Sequence, residues 1–221
     1  MKITVVDYGL SNLLSVKRAL NHLGAEAAVT ADPAEIGRAQ ALLLPGVGAF
    51  EDGMRGLERL GLASILQKKC AEGTPLLGIC LGMQMLFDES EEFGLHRGLG
   101  LIPGRVVRIP ETDTAGRPQR VPHISWNRLL PPPEGPLSRG GGDFAGTLLA
   151  GVTPGQECYF VHGYEAKPAL PAYRLADTEY GGRRVCAAAQ NGSVMGVQFH
   201  PEKSGPVGLA VLREYLRLCA G

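Results

Sequence analysis

Short apolar runs alternate with amphipathic stretches through the first half of the chain. Ile3 to Val6 reads as a buried strand, and Ser11 or Asn12 stands where a helix would be capped. Leu13, Leu14, Val16, Leu20 and Leu23 mark that helix's apolar face, and Gly24 is its natural stop. Ala27 to Thr30 and Ala41 to Leu44 are the next strands, with Pro33 opening a short helix between them. A helix from about Leu57 to Cys70, ending at Gly73, precedes an apolar strand from Pro75 to Ile79. That strand runs directly into a helix from Leu81 to Phe87. Nearly all-apolar strands alternating with helices predict an α/β fold with a mostly parallel, doubly wound central sheet flanked by helices.

The pattern changes in the second half. Arg105 to Ile109, His123 to Leu129, Cys158 to Tyr164 and Arg183 to Gln190 read as strands joined by loops, and Asn191-Gly192 predicts a hairpin turn into Val194 to Phe199. These form an antiparallel extension of the sheet. Residues 131 to 155 are rich in Pro and Gly with little periodicity, and are expected to be a long surface loop. Leu209, Leu212, Tyr215, Leu216 and Cys219 stripe a closing helix. With 221 residues and no internal repeat, a single domain over 1–221 is expected.

Composition narrows the classes. Lys+Arg and Asp+Glu are both 22, with no like-charge block, so nothing suggests a nucleic-acid or membrane footprint. The five cysteines are odd in number, scattered and in no CxxC pair, which argues against a disulfide framework or zinc knuckle. No stretch suits a signal peptide or membrane span, so a cytoplasmic protein is the expectation. Gly46-Val47-Gly48 lacks nucleotide-binding spacing, and neither a cofactor nor a metal is called for.

The strongest chemical signal is Gly78-Ile79-Cys80-Leu81-Gly82 at a strand-to-helix junction. A nucleophile on such an elbow needs small flanking residues, and the helix start supplies backbone N–H groups to a developing oxyanion. The other four cysteines lack glycine flanks and read as packing. For a base, His200 stands at a strand end in Phe199-His200-Pro201-Glu202, and Glu202, two residues on, points to the same side and can orient its imidazole.

A G-x-C-x-G elbow with a distal H-P-E resembles the class I, triad-type glutamine amidotransferases. The resemblance implies attack by Cys80 on the γ-amide of glutamine, giving a thioester and ammonia. It also implies an oxyanion loop at Pro45-Gly46-Val47-Gly48, with the N–H groups of Val47 or Gly48 and of Leu81 as donors. Gln84 resembles the position that holds the substrate's α-carboxylate or amine. Asp7-Tyr8-Gly9-Leu10-Ser11-Asn12, Pro45 to Phe50, Gly82 to Phe87, Pro122-His123-Ile124-Ser125-Trp126-Asn127, Tyr159-Phe160-Val161-His162-Gly163-Tyr164 and Phe199 to Ser204 are similar to one branch of that family. This branch is the glutaminase subunits of imidazole glycerol phosphate synthase, acting in histidine biosynthesis.

That likeness implies a heterodimer with a (β/α)₈-barrel cyclase, which receives the ammonia and makes imidazole glycerol phosphate and an aminoimidazole carboxamide ribotide. It places His162, Gly163 and Tyr164 near glutamine, and Trp126, Asn127 and Lys203 at the partner interface. The branch usually has Ser or Thr where this chain has Gly163, which removes a hydroxyl from the substrate wall. Other glutaminase subunits, a free-standing cysteine amidase and a non-catalytic binding module are the competing readings. The Pro122–Asn127 and Tyr159–Tyr164 stretches separate the first, activity without a partner the second, and indifference to Cys80→Ala the third.

Overall fold

The computed structural model describes residues 1–10, 12–134 and 143–220. The strands β1 (Lys2–Val6), β2 (Glu26–Thr30), β3 (Leu42–Gly46) and β4 (Leu76–Cys80) are apolar because they are covered on both faces. They are joined by α1 (Leu13–His22), α2 (Pro33–Gly37), α3 (Phe50–Arg59) and α4 (Leu62–Ala71), and β4 runs into α5 (Leu81–Met85). Next come β5 (Phe87–Ser90), β6 (His96–Arg97), β7 (Ile102–Arg108), β8 (His123–Arg128), β9 (Glu157–His162) and β10 (Tyr164–Pro168). The chain closes with β11 (Arg174–Tyr180), β12 (Arg183–Asn191), β13 (Val194–Val197) and α6 (Gly205–Cys219).

The central sheet has seven strands in the order β11-β12-β13-β4-β3-β1-β2. Its β13–β4–β3–β1–β2 part is parallel, and β12 extends it antiparallel as expected; β11 beside it was not foreseen, and the expected strands Arg105–Ile109, His123–Leu129 and Cys158–Tyr164 stand in two smaller sheets instead. Alternate residues feed opposite faces. Leu43, Leu77 and Ile79 pack with α1, α6 and Phe160 on one side, while Leu42, Leu44 and Leu76 pack with α3, α4 and α5 on the other. A four-stranded sheet (β10-β7-β5-β6) and a two-stranded antiparallel sheet (β8-β9) complete the strands.

Several expectations need correction. The helix foreseen from Leu57 to Cys70 is two helices, because Gly61 takes a left-handed φ of +67° and redirects the chain. The helix after Cys80 stops at Met85, and Phe87 instead opens β5 beside β7. Cys158 to Tyr164 is not one strand: Gly163 divides β9, paired with β8, from β10, paired with β7. In the expected surface loop, residues 135–142 lie outside the described residues. Its remainder is only partly at the surface, since Phe144, Leu148, Leu149 and Val152 are buried in the core with residues of α6 and β9. Each such side chain stabilises the fold by about 1.5–3 kcal/mol, which outweighs the loop-like Pro/Gly composition. Ser11 also lies outside the described residues, and Asn12 caps α1 by position with no side-chain hydrogen bond.

Candidate active site

Open parallel sheets bind ligands at the carboxyl ends of their strands. Here β3, β4 and β13 are adjacent, with Gly46 opposite Cys80 and Val197 opposite Ile79. The segments that follow all three strands therefore converge on one edge, carrying Val47 and Gly48, Cys80, and His200. A cavity of about 250 Å³ forms there, lined by Val47, Gly48, Cys80, Leu81, Gln84, Glu92, Val161, His162, Gly163, Tyr164 and His200. That is just below the range of about 300–1,000 Å³ for small-molecule sites and suits one amino acid.

Cys80 sits on a strained elbow at φ 54°, ψ −111°, a conformation that costs about 1–3 kcal/mol in a non-glycine residue. The flanking glycines are required by close packing. A Cβ on Gly82 would lie 1.8 Å from the Leu44 carbonyl oxygen, and one on Gly78 would lie 2.7 Å from the Gly82 carbonyl oxygen. The sulfur faces the Val161 carbonyl at 3.9 Å and receives Gln198 Nε2 at 3.7 Å.

His200 Nδ1 meets Glu202 Oε1 at 2.9 Å, with both side chains almost fully buried. Among the described residues its Nε2 has no partner of hydrogen-bond geometry. Burial alone would depress the imidazole's pKa. The nearby Cys80 sulfur, the hydrogen bond to Glu202 and the charges of both outweigh it and raise the pKa from 6.5 to about 9. Ser204 fixes the backbone here: its hydroxyl donates to the His200 carbonyl at 2.7 Å and accepts the Tyr159 N–H at 3.0 Å.

The other expected residues are placed as follows. Gln84 is buried, its Nε2 donating to the Tyr164 carbonyl at 3.1 Å and to Gln198 Oε1 at 3.0 Å. The Val47 N–H donates to the Leu10 carbonyl at 3.1 Å, so it is turned away from any ligand, and Gly48 stands at φ +105°. His162 contacts the Tyr164 carbonyl through Nδ1 at 2.8 Å and His123 Nδ1 through Nε2 at 3.1 Å. Burial lowers the pKa of His162 to about 3 and of His123 to about 4, so both are neutral.

On β8, Ile124, Trp126 and Arg128 face outward, and Trp126 is 52% exposed. The Trp126 ring lies 6.0 Å from Tyr159, whose ring is 6.5 Å from His200. Asn127 points the other way: its Oδ1 accepts from Ser125 Oγ at 2.7 Å and its Nδ2 donates to the Glu179 carbonyl at 2.6 Å. Lys203 is exposed on the 3₁₀ turn after His200.

Sequence reading missed Gln198, Ser204 and Glu92. Glu92 reaches back to accept the Phe50 N–H at 2.7 Å, and burial raises its pKa. No local signal marked Gln198, because β13 ends at Val197 and its approach to Cys80 depends on the pairing of β13 with β4.

A cysteine on a strained strand-to-helix elbow, a carboxylate-oriented histidine and a small, partly open pocket define a site of the thiol amidohydrolase class on an α/β sheet. Residues 4–217 match the glutamine amidotransferase class-I family. A solved "glutamine amidotransferase" has the same fold, with a TM-score of 0.72, 20% identity and 99% of both chains covered. The chain is 44% identical over 216 residues to imidazole glycerol phosphate synthase subunit HisH 1 of Legionella pneumophila strain Lens, covering 98% of this chain and 99% of that one. It is 47% identical over 219 residues to the HisH subunit of Geobacillus thermodenitrificans, covering 99% and 97%. The chain therefore belongs to the class-I glutamine amidotransferases, on the branch of HisH subunits of imidazole glycerol phosphate synthase.

Proposed function

We propose that this chain, acting as one domain, hydrolyses glutamine and delivers the ammonia to a barrel cyclase that completes imidazole glycerol phosphate synthase. The observation that carries the reading is the convergence of Cys80 and the His200–Glu202 pair in one amino-acid-sized cavity, in a chain of this family. With the pair's proton held on His200 Nε2, Cys80 Sγ attacks the γ-carbonyl as the thiolate. His200 returns that proton to the departing ammonia, leaving a glutamyl thioester. It then draws a proton from water, which releases glutamate and the thiol.

Gly48 and Leu81 supply N–H groups to the oxyanion, and Gly46 lets the loop pass close to the elbow. The Val47 N–H is available only after it leaves the Leu10 carbonyl, which supports a loop whose donors align when a partner-side ligand binds. Gln84 takes the substrate's α-ammonium. Both hydrogens on its Nε2 are already given to carbonyl oxygens, so Oε1, an acceptor, is what remains for the ligand. His162, Gly163 and Tyr164 form the opposite wall.

Free ammonia in neutral water is mostly protonated and no longer nucleophilic, so a sealed route into a docked partner has a chemical purpose. Trp126 and Ile124, exposed on β8 next to the site's rim, are the anchor for that partner, with Lys203 beside His200 as its charged contact. Asn127 contributes at the groove it forms with Arg128 and Glu179. A cytoplasmic location is proposed from the likeness to biosynthetic HisH subunits. Among the described residues no helix is long and apolar enough to cross a membrane. Glutamate release measured on the chain alone, then with the cyclase and its nucleotide ligand, tests the whole reading. A sharp rise on adding both supports it, and strong activity indifferent to the cyclase refutes the assigned partner.

Two further results are expected. Trp126→Ala should weaken cyclase binding by about 2 kcal/mol, roughly thirtyfold in Kd, by calorimetry. An unchanged Kd would remove Trp126 from the interface. Gly163→Ser should fold normally, because an added Cβ meets only Val121 at 3.6 Å and Pro122 at 4.0 Å. Its hydroxyl should lower the KM for glutamine several-fold, on the order of one hydrogen bond. An unchanged or higher KM would show that this wall binds substrate through its backbone alone.

A further inference from the structure

Gln198 is fully buried behind the thiol and does not line the cavity. Its Nε2 donates to Cys80 Sγ at 3.7 Å and its Oε1 accepts from Gln84 Nε2 at 3.0 Å. Which end of this amide meets the sulfur is settled by a group that cannot reverse. Gln84 Nε2 also donates to the main-chain carbonyl of Tyr164 at 3.1 Å, and a carbonyl only accepts. Gln84 must therefore turn its nitrogen that way, Gln198 must turn its oxygen to Gln84, and the N–H of Gln198 is left pointing at Cys80.

The sulfur's two neutral neighbours pull in opposite directions. The Val161 carbonyl at 3.9 Å is an acceptor and favours the thiol, while the Gln198 amide is a donor and favours the thiolate. We propose that Gln198 is a further catalytic residue: it holds the negative charge on Cys80 Sγ when the thiol proton has passed to His200, and again when the thioester breaks. Gln84, through its bond to the Tyr164 carbonyl, is the positioning residue that keeps this donor aimed. The inference rests on Cys80 being the nucleophile. Gln198 directly follows Val197, the last residue of β13, whose pairing with Ile79 brings it to Cys80.

The test reads the thiol itself. Other ionisable groups around Cys80 are His200, backed by Glu202, after β13; His162 at the end of β9; Glu92 across the cavity from the segment after β5; and Tyr8 at the end of β1. All are retained in the variants below. Iodoacetamide alkylation is followed on the Cys80 peptide by mass spectrometry between about pH 5 and 9. Gln198→Glu keeps the size and the bond from Gln84 but sets an acceptor against the sulfur. It should move the alkylation midpoint up by about one unit or more, roughly a tenfold slower reaction at neutral pH. Gln198→Met, which removes the donor without adding charge, should shift it the same way by less, and guards against failure of the charged variant to fold.

Both variants should lower kcat for glutamine hydrolysis with KM little changed. A lowered melting temperature with an unmoved alkylation midpoint in both would reduce Gln198 to a packing residue and overturn the proposal. Because alkylation needs no glutamine, that outcome is separate from failure of the glutaminase reading, which Cys80→Ala decides.

Discussion

Cys80→Ala is expected to end glutamate release, lowering kcat by a factor on the order of 10⁴ or more, while the chain stays folded. Removing the nucleophile of a triad leaves only binding and oxyanion stabilisation, neither of which cleaves an amide at a useful rate. The substitution deletes one sulfur from a site that already borders a cavity, so little packing is lost. The elbow's backbone at φ 54° is held by Gly78 and Gly82 packing against each other and against Leu44, which alanine does not disturb. In the assembled complex the variant should still support product formation from added ammonium salt, since only the glutamine-dependent source is gone. A coupled glutamate assay and a melting curve check both halves. Glutamine hydrolysis within tenfold of the wild type would assign the chemistry to another group.

The legible parts of this molecule were those where local sterics leave few alternatives. Glycine two residues either side of Cys80 has an immediate cause in the Leu44 and Gly82 carbonyls, and that cause is written in the sequence as G-x-C-x-G. The H-P-E sequence marked His200 and Glu202, and the structure brings them to 2.9 Å, through the 3₁₀ turn Pro201–Lys203 rather than along an extended strand. The apolar runs of β1, β3 and β4 announced a covered parallel sheet.

What was hidden depends on distant pairing. That β13 lies against β4, 118 residues apart at the Gln198–Cys80 contact, is fixed by sheet register and by no local signal. β11 escaped because its buried positions include Asp177 and Thr178: Asp177 is paired with Arg174, so a strand without an apolar alternation is still interior. The segment from Asp143 to Gly155 looked like solvent-facing loop, yet Phe144, Leu148 and Val152 recur at four-residue spacing and enter the core. The orientation of the Val47 N–H toward Leu10 is a single peptide's choice, beyond any composition argument.

Glu202→Gln tests the electrostatic half of the site and has its own pH signature. The carboxylate and the thiol together hold the His200 imidazolium against burial and raise its pKa to about 9. A neutral amide of nearly the same size can still accept from Nδ1, so the ring keeps its place, but the charge that sustains the imidazolium is gone. The pKa should fall toward 6.5, and at neutral pH much of the histidine loses the proton it must give to departing ammonia. The alkaline limb of kcat/KM, near pH 9 in the wild type, should therefore move down by one to two units, with kcat lower by about 10³–10⁴. Stability follows the same sign. A raised folded-state pKa contributes stability that is fully present below about pH 6.5 and is lost as pH rises through about 9. The wild type's melting temperature should thus fall across that interval from this group, and the variant's should be flatter there. An alkaline limb that stays near pH 9 in Glu202→Gln would mean that Cys80 alone sustains the imidazolium and that Glu202 only steadies the ring.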